Sequence, residues 1–278
     1  MQGDPQPELT RTVLFASESL ELADVRCRGT CRHRSPEECQ QSAQLIFPYR
    51  GTFLRHLGSR AMLGDANQVL YFSPGQAHQV SHPLQGGDAC LVLTLAPDVL
   101  AALAPTGEVD AHGDGFRLER RTLEPLAQLQ RARIGRRLMQ ADLEDFEAES
   151  ALYDLARAAL APRAPPKRKP TRATLQLVER VKLRLAEPDA ARLSLGELGA
   201  AMGVSPVYLT QVFADLEGVP LYRYQLRLRL ARALDRLPDA GDVAALALEL
   251  GFASHSQFAT RFRAAYGTTP SAWRRAAR

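Results

Sequence analysis

The pattern of apolar and polar positions near the end of the chain occurs twice. The first copy runs from Leu193 to Gly218, and the second runs from Asp242 to Gly267. Leu198 in the first copy matches Leu246 in the second, 48 residues later, and one extra residue in the second turn makes the later offsets 49. A repeat at this spacing predicts one supersecondary unit that is used twice.

Residues that begin and end helices lie at matching places in both copies. In the first copy, Ser194 and Glu197 form an S-x-x-E capping box, and Gly203 ends the helix that follows. Ser205 then begins a second helix, with Pro206 at its first position. Two short helices joined by a glycine-containing turn predict a helix-turn-helix. The corresponding residues of the second copy are Asp242, Gly251, Ser254 and Gly267.

The charge of the chain is divided unevenly between its two halves. From Ala161 onward there are 19 Lys and Arg against 10 Asp and Glu, a net charge of +9, whereas the preceding residues carry a net charge of −5. A basic half indicates a polyanionic partner, and the repeated unit lies in this half. A single helix-turn-helix also occurs in helical bundles that bind nothing. Two copies in a basic segment favour double-stranded DNA as the partner.

The second helix of each copy, here called the recognition helix, separates inward from outward positions by its apolar period. Leu209, Val212 and Phe213 are expected to face inward in the first copy, as are Phe258 and Phe262 in the second. The outward side chains would face a major groove, which admits one α-helix. The candidate base-reading residues are Val207, Thr210 and Gln211 in the first copy and His255, Ser256, Gln257 and Thr260 in the second.

Phosphate contacts are expected from helix N-termini and from arginines. The helices capped by Ser205 and Ser254 would direct backbone N–H groups and the positive end of the helix dipole at phosphates. Arg261 and Arg263 on the second recognition helix are better candidates for phosphate than for base contacts. Arg227, on the segment that joins the two copies, is a further candidate. For each outward residue the alternative is simple exposure to solvent.

Residues 11–105 show the short apolar runs of β-strands, separated by Gly and Pro. This pattern predicts antiparallel strands in a sandwich or barrel. A barrel of about eight strands is able to enclose one small ligand. The predicted strands are Leu20–Cys27, Ala43–Phe47, Thr52–Leu57, Gln68–Phe72 and Ala89–Leu95.

Helical periodicity follows the strand region. We expect a helical turn at Pro97–Leu103, a helix over about Leu118–Arg133, a break at Gly135 and a helix over about Ala141–Leu160. The last two helices would pack on the barrel or against a second copy of the chain, which would give a homodimer.

A Pro-rich basic segment at residues 161–171 divides the chain and is typical of a semi-extended linker. We therefore predict a sensor or dimerisation domain over residues 1–160 and a DNA-binding domain over residues 172–278. An amphipathic helix is expected at Thr174–Ala186, and a long helix at Leu221–Leu237 would join the two copies. The predicted fold class is α+β, with an N-terminal antiparallel β-barrel plus a helical pair and a C-terminal all-α domain.

Cysteines in the N-terminal half are candidates for a metal- or redox-sensing cluster. Cys27, Cys31, His33 and Cys39 are ligand types that bind zinc, but their C-x3-C-x-H-x5-C spacing is not that of a standard zinc motif. Buried cysteines, or thiols that bind nothing, explain the pattern at least as well. We therefore predict no resident metal and keep the cluster as an alternative.

Two histidines are candidates for lining an effector pocket. His78 and His82 lie four residues apart on a predicted turn and strand, so they would share a face of the barrel. A metal at this pair alone is disfavoured, because three or more protein ligands are normally needed.

Residues 172–276 resemble the DNA-binding domain of the AraC/XylS family of transcription regulators. The resemblance rests on the turn and helix at Ser205–Phe213, on Arg229–Ala233 and above all on ELGFASHSQFATRFRAAYGTTPSAWRR, from Glu249 to Arg275. It implies a DNA-binding regulator, usually an activator that works with RNA polymerase, whose two units enter successive major-groove segments. The family's base-reading positions map onto the outward residues given above.

The N-terminal half resembles the family's cupin-like sensor domain in outline, through the stretch LYFSPGQAHQVSHP. That resemblance implies a small-molecule effector, whose identity the sequence does not give. The first recognition helix departs from expectation because it holds no Lys or Arg. Gln prefers adenine, and apolar or methyl-bearing side chains contact the thymine methyl group, so Gln211, Val207 and Thr210 predict a half-site rich in A·T.

Three classes of function fit the sequence. The first is a transcription regulator controlled by a small-molecule, metal or redox signal, and the second is a regulator whose N-terminal domain only dimerises. The third is an enzyme, either a cupin-type metal enzyme or a DNA-repair protein fused to the same helices. The sequence lacks the His-x-His pair of catalytic cupins and any Ser/His/Asp arrangement. We therefore expect no enzymatic activity and no cofactor.

The composition also indicates where the protein works. No apolar run approaches the roughly 20 residues that span a bilayer. The polar stretch MQGDPQPELT has no signal-peptide pattern. Four cysteines in a chain of 278 residues do not form a disulfide framework. We therefore expect a cytoplasmic protein without a membrane partner.

Overall fold

The structure is a computed structural model that describes residues 9–29, 33–105, 107–109, 115–162 and 170–277. Within these residues, nine strands and three helices form the N-terminal domain, and seven further α-helices form the C-terminal domain. The predicted α+β class is confirmed. Most of the predicted linker at residues 161–171 lies outside the described residues, so the domain limits stay a prediction.

The strands of the N-terminal domain form two antiparallel sheets. All but one of the predicted strands begin and end within one residue of the observed limits, and β3 extends further than predicted. The strands are β1 (Leu9–Ala16), β2 (Leu20–Cys27), β3 (Ala43–Gly51), β4 (Phe53–Leu57), β5 (Arg60–Gly64), β6 (Gln68–Phe72), β7 (Gln79–Ser81), β8 (Asp88–Leu95) and β9 (Arg120–Thr122).

The two sheets pack face to face without closing into a barrel. The larger sheet has the order β1-β2-β8-β3-β6-β9, and the smaller has the order β5-β4-β7. Between them lies a small apolar core to which Phe53 of β4 and Ile46 of β3 contribute. The predicted barrel is therefore wrong for the described residues, because no ladder joins the edge strands of the two sheets.

Three helices cover the other face of the larger sheet. They are α1 (Pro97–Leu103), α2 (Pro125–Met139) and α3 (Asp145–Leu160). Helix α1 has the predicted limits, but α2 starts later than expected and continues through Gly135. A β-carbon at Gly135 would lie 2.6 Å from Cδ1 of Leu91 on β8. Gly135 therefore allows the helix to approach the sheet and does not break the helix.

The C-terminal domain contains the predicted helical repeat. Its α-helices are α4 (Arg172–Ala186), α5 (Leu195–Met202), α6 (Pro206–Glu217), α7 (Leu221–Arg236), α8 (Val243–Glu249), α9 (His255–Tyr266) and α10 (Pro270–Ala276). A short 3₁₀ helix at Pro188–Arg192 and α10 were not predicted. None of the helices in the described residues is long and apolar enough to cross a membrane.

Candidate nucleic-acid interface

Helices α5 and α6 form the first helix-turn-helix unit, and the predicted capping residues shape it. The hydroxyl of Ser194 accepts the N–H of Glu197 at 3.2 Å, and the Glu197 carboxylate accepts the N–H of Ser194 at 2.8 Å. Gly203 ends α5 with a left-handed φ of 73°. Ser205 then accepts the N–H of Tyr208 at 3.2 Å. These local bonds satisfy N–H groups at the start of both helices.

The turn of the first unit is tight because Gly199 has no side chain. A β-carbon there would lie 2.9 Å from the carbonyl oxygen of Val204 and 3.4 Å from the ring of Pro206. Leu209 and Phe213 of α6 are fully buried, as predicted. Their burial fixes which side of α6 faces outward.

Helices α8 and α9 form the second unit on the same plan. The Asp242 carboxylate accepts the N–H of Ala244 at 2.7 Å, and Ser254 accepts the N–H of Gln257 at 3.1 Å. Gly267 ends α9 with a φ of 69°. The core is aromatic, because Phe252, Phe258, Phe262, Tyr266 and Trp273 are all buried in one cluster.

The outward faces of both recognition helices are open to solvent. Six of the seven predicted base-reading residues are exposed, namely Val207, Gln211, His255, Ser256, Gln257 and Thr260. Thr210 is half-buried, and its hydroxyl donates to the carbonyl of Val207 at 2.8 Å. The Gln257 side chain accepts a hydrogen bond from the N–H of Ala253 at 2.9 Å. This hydrogen bond would have to break before the Gln257 side chain contacts a base.

Four of the five predicted phosphate contacts remain accessible. Ser205 and Ser254 are exposed at the N-termini of their helices, and Arg261 and Arg263 are exposed on α9. Neither arginine forms an ion pair with any residue that the structure describes. Arg227 differs, because its guanidinium donates to Glu124 of the N-terminal domain at 3.0 Å. Arg227 therefore lies at the contact between the domains, and its phosphate contact stays a prediction.

The structure adds one residue to the candidate surface. Tyr208 is 45% exposed beside Val207, which is 66% exposed, in the first turn of α6. Sequence reasoning did not single it out, although its position three residues after the Ser205 cap places it on the exposed turn. An exposed phenol at a helix N-terminus is able to contact either a phosphate or a base edge.

The long helix α7 holds the two units together through arginines. Arg229 donates to the carbonyl of Gly251 at 3.1 Å and to that of Ala191, and Arg232 donates to the carbonyl of Ala186 at 3.2 Å. A cavity of about 290 Å³ lies beside these arginines, between the two units. Burial lowers the pKa of Arg232, and the nearby Arg236 charge acts in the same direction.

A chain of buried hydrogen bonds joins the N-terminal domain to both units. The hydroxyl of Tyr224 on α7 donates to Asp65 at 2.7 Å, and the amide of Asn67 donates to the Tyr224 carbonyl at 2.8 Å. Gln128 of α2 donates to Asn67 at 3.1 Å and accepts from the hydroxyl of Tyr266 on α9 at 3.2 Å. This chain therefore runs through the N-terminal domain from α7, whose Tyr224 packs in the core of the first unit, to α9 of the second unit.

A buried cluster of charges lies beside this chain. Arg120 of β9 forms ion pairs with Glu179 of α4 and with Glu217 of α6. Lys182 has a fully buried side chain and lies 3.3 Å from Glu217. Burial acts to raise the pKa of Glu179, but the charges of Arg120 and Lys182 outweigh it and lower that pKa. For Asp65, burial is the largest effect and raises its pKa.

The two predicted effector residues are buried, whereas two residues of the predicted cysteine cluster are exposed. His78 is buried, with its ring against Phe72 at 4.5 Å, and His82 is buried with its Nε2 atom 2.6 Å from the Asp88 carboxylate. Cys39 and His33 are exposed. Cys31 lies outside the described residues.

One group of metal-ligand types does come together in the described part of the chain. It consists of Cys27, His82 and Asp88, whose candidate ligand atoms all lie within 4.8 Å of one another. It therefore combines one residue of the predicted cysteine cluster with one of the two predicted pocket histidines. Asp88 was not predicted, because its carboxylate is brought to Cys27 only by the pairing of distant strands.

The amino-acid sequence matches known helix-turn-helix proteins over its C-terminal part. Residues 198–276 match the family described as "Helix-turn-helix domain". The HTH-type transcriptional activator AarP of Providencia stuartii is 36% identical over 84 residues, which are 30% of this chain and 62% of that protein. The chain thus spans less than two thirds of the length of this relative.

Two solved structures show weaker likeness. ToxT from Vibrio cholerae, in an apo form, is 12% identical with a TM-score of 0.39, over 95% of this chain and 100% of that chain. A cupin superfamily protein from Desulfitobacterium hafniense is 14% identical with a TM-score of 0.28, over 33% of this chain and 81% of that chain. At these TM-scores neither likeness supports an argument about function.

The sequence match and the observed geometry agree on the same residues. The matched range begins in α5, ends in α10 and contains both recognition helices with the α7 helix between them. Residues 198–276 of this chain therefore match a helix-turn-helix domain in sequence, and the structure forms two such units within them.

Proposed function

We propose that this chain is a sequence-specific DNA-binding transcription regulator whose two units bind successive major-groove segments of one duplex. The observation that supports this most strongly is the open outward face of both α6 and α9. Each helix buries its apolar side in its own unit, and the N-terminal domain contacts other surfaces of these units. Because α7 connects the units, one chain would contact two neighbouring groove segments without a second copy.

The two recognition helices differ in chemistry, which gives the proposed site an asymmetric sequence. Helix α6 offers Gln211, Thr210 and Val207 and holds no Lys or Arg, so its half-site should be rich in A·T. Helix α9 carries Arg261 and Arg263 and should gain more of its affinity from phosphates. Sequence specificity would come mainly from the contacts of α6, and salt-dependent affinity would come mainly from the contacts of α9.

The experiment is selection of bound duplexes from a random pool, followed by affinity measurement on the selected site. We expect Gln211→Ala to weaken binding by about 1–3 kcal/mol and to relax preference at one base pair. Gln176 is exposed on α4 and serves as the matched control, so Gln176→Ala should leave affinity unchanged. A G·C-dominated half-site under α6, or equal effects of the two variants, would contradict the assignment.

Salt dependence tests the phosphate contacts in the same assay. Arg261→Ala and Arg263→Ala should weaken binding to all duplexes alike and each reduce the slope of log affinity against log salt by about 0.9. Arg180→Ala on the exposed side of α4 is the control and should leave the slope unchanged. If the slope falls equally in all three variants, the phosphate contact cannot be assigned to α9.

We further propose that the N-terminal domain controls DNA binding by the two recognition helices. Ala66 of that domain packs in the core of the first unit, and Leu129 packs in the core of the second. An effector that shifts the N-terminal domain would therefore change the relative position of the two recognition helices.

Activation through RNA polymerase is tested by transcription from a promoter carrying the selected site, with the protein and purified polymerase added. Unchanged transcript levels on a bound promoter would argue against an activator.

A homodimer is the remaining part of the proposal. Phe146 on α3 is 87% exposed, and Leu126 on α2 is 67% exposed. Exposed apolar side chains contribute to a subunit contact when they lie in one contiguous patch, and we propose that these two do so in a homodimer. Light scattering at micromolar concentration should give twice the mass of the chain, and Phe146→Ser should return it to the monomer mass. A monomeric wild-type protein excludes this assembly under those conditions.

A further inference from the structure

Three side chains with metal-binding atoms converge where the two sheets of the N-terminal domain meet. Cys27 is the last residue of β2, and Asp88 is the first residue of β8 directly opposite it in the ladder. His82 follows β7 of the smaller sheet. The thiol, imidazole and carboxylate atoms all lie within 4.8 Å of one another. Two of the three residues therefore lie on neighbouring strands of the larger sheet, and the third directly follows a strand of the smaller sheet.

We propose that Cys27, His82 and Asp88 bind a zinc ion. Thiolate, imidazole and carboxylate are the ligand types that zinc takes in proteins, at about 2.0–2.3 Å from the metal. Atoms bound tetrahedrally at those distances lie about 3.3–3.8 Å apart. The His82 and Asp88 atoms, now 2.6 Å apart, would separate slightly, and the longest separation would shorten by about 1 Å. Side-chain rotation alone supplies movements of this size.

The backbone around the site is held by glycines that no other residue could replace. Gly29 and Gly87 have left-handed φ angles of 63° and 69°. A β-carbon on Gly87 would lie 2.0 Å from the carbonyl oxygen of Cys27, and one on Gly29 would lie 2.5 Å from Cα of Gly87. Because the segments that carry Cys27 and Asp88 touch through backbone atoms, the two ligands are fixed before a metal arrives. Such preorganisation is what a binding site on rigid elements requires.

Neighbouring groups complete the surroundings of the proposed ligands. The N–H of Gly29 donates to the Cys27 sulfur at 3.4 Å and so helps to orient this ligand. The thiol of Cys90 donates to the second oxygen of Asp88 at 3.3 Å. Partners of this kind orient metal ligands and raise affinity. Side-chain exposure is only 9% for both His82 and Asp88, so water competes weakly for them.

The alternative is a structural hydrogen bond between His82 and Asp88 beside a thiol of no function. The two hypotheses differ in what zinc does to the protein. A bound ion would join β7 of the smaller sheet to β2 and β8 of the larger one, and so would raise the unfolding temperature. A structural hydrogen bond would leave the unfolding temperature independent of zinc. The ion would also leave a fourth coordination position for water or another ligand.

The test uses the full chain, purified under reducing conditions and stripped of metal. We expect one equivalent of Zn²⁺ to bind in competition with a chelator, and Co²⁺ to give a thiolate-to-cobalt charge-transfer band. Cys27→Ser, His82→Gln and Asp88→Asn should each weaken Zn²⁺ binding more than about 10-fold, since even an outer partner is worth that much. Cys39→Ser and His33→Gln change exposed residues and should bind as the wild type does.

Specific outcomes overturn the proposal. Absence of stoichiometric binding, or a cobalt complex without a thiolate band, excludes the site. Zinc binding that survives Cys27→Ser but is lost in Cys31→Ser with Cys39→Ser assigns the metal to the other cysteines. Asp88→Asn preserves shape, so it remains informative if Cys27→Ser does not fold, as checked by circular dichroism. All measurements are made without DNA, so this result and the proposed regulatory function stand or fall separately.

Discussion

Single buried charges show how strongly the surroundings of one residue decide its chemistry. Glu179 and Asp65 lie in the same contact between the domains, yet their pKa values move in opposite directions. Arg120 and Lys182 flank Glu179, whereas burial dominates at Asp65, where Tyr224 donates to the carboxylate. The two carboxylates therefore make opposite contributions to stability in acid.

The pH dependence of unfolding follows from the direction of the Glu179 shift. A carboxyl with a lowered pKa in the folded state stabilises the protein above its unfolded pKa, here 4.5, and this stability is lost as pH falls through the folded pKa. Glu179→Gln should therefore flatten the fall of the unfolding midpoint below about pH 4.5. Thermal unfolding across that range measures the slope.

Asp65→Asn is the companion variant and should act with the opposite sign. Its raised pKa means that the folded state binds a proton more readily than the unfolded chain, so its contribution to stability falls as pH rises. Removal of the carboxyl should make the acid-side slope steeper. If the unfolding midpoint depends on pH with the same slope in the wild type and in both variants, neither pKa shift contributes to the stability of the fold.

At the scale of elements, close packing rather than local propensity decides several helix and strand limits. Helix α2 continues through Gly135 because the missing side chain admits Leu91 of β8. In α5, by contrast, a β-carbon on Gly196 would meet no atom closer than Oγ of Ser194, at 4.0 Å. Gly135 of α2 is therefore required by packing, whereas Gly196 of α5 is not.

Replacement of these two glycines by alanine should change stability in opposite directions. Gly196→Ala removes backbone freedom from the unfolded chain and should stabilise by up to about 1 kcal/mol. Gly135→Ala gains the same helix propensity, but it forces the Leu91 side chain to move, because the new methyl group would lie 2.6 Å from Cδ1 of Leu91. We expect net destabilisation of about 1–3 kcal/mol. Urea unfolding measures both, and a stabilising Gly135→Ala would contradict the packing argument.

The difference between local sequence signals and packing against distant residues also explains which elements the sequence predicts. The strands β2 and β6 and the helix α1 have their predicted limits, because apolar runs and turn residues mark them locally. Both helix-turn-helix units follow from caps and apolar period. The strands β1, β5, β7 and β9 were not predicted. Strand β1 is largely exposed, and β7 and β9 have three residues each and are held by ladders to strands far away in the sequence.

Some candidate site residues likewise follow from the local sequence, whereas others are brought together only by the fold. Outward residues such as Gln211 follow from the apolar period of one helix, so the sequence is sufficient to nominate them. The pairing of Arg227 with Glu124 does not follow from the local sequence, because Glu124 lies 103 residues away in the chain. The convergence of Cys27, His82 and Asp88 depends on two sheets coming together, which no local spacing indicates.

At the scale of the whole molecule, the two domains share buried polar groups as well as apolar ones. Arg120 bridges two buried carboxylates of the C-terminal domain. At the surface, Arg50 of β3, whose side chain is 55% exposed, pairs with Asp235 of α7 through two hydrogen bonds of 2.9 and 3.1 Å. Removal of one partner from a buried cluster leaves the other charges uncompensated. The contact between the domains should therefore be specific in geometry and sensitive to single substitutions.

Arg120→Ala tests this sensitivity. Among the described residues, the change leaves Lys182 as the one cation paired with Glu179 and Glu217, and we expect a loss of about 3–5 kcal/mol in the free energy of unfolding. Arg60→Ala is the matched control, because Arg60 pairs with Glu119 on the surface with 58% of its side chain exposed. That pair should contribute less than about 1 kcal/mol. Similar losses in both variants would mean that burial of the cluster has no special cost.

The attachment of α7 at both ends has a practical consequence for protein engineering. Tyr224 near its start is held by Asp65 and Asn67, and Asp235 near its end is held by Arg50. A fragment that begins at residue 170 would present these anchors, together with Lys182, to water. Transplanting the two recognition helices onto another sensor therefore requires a donor scaffold that supplies equivalent partners for that exposed side.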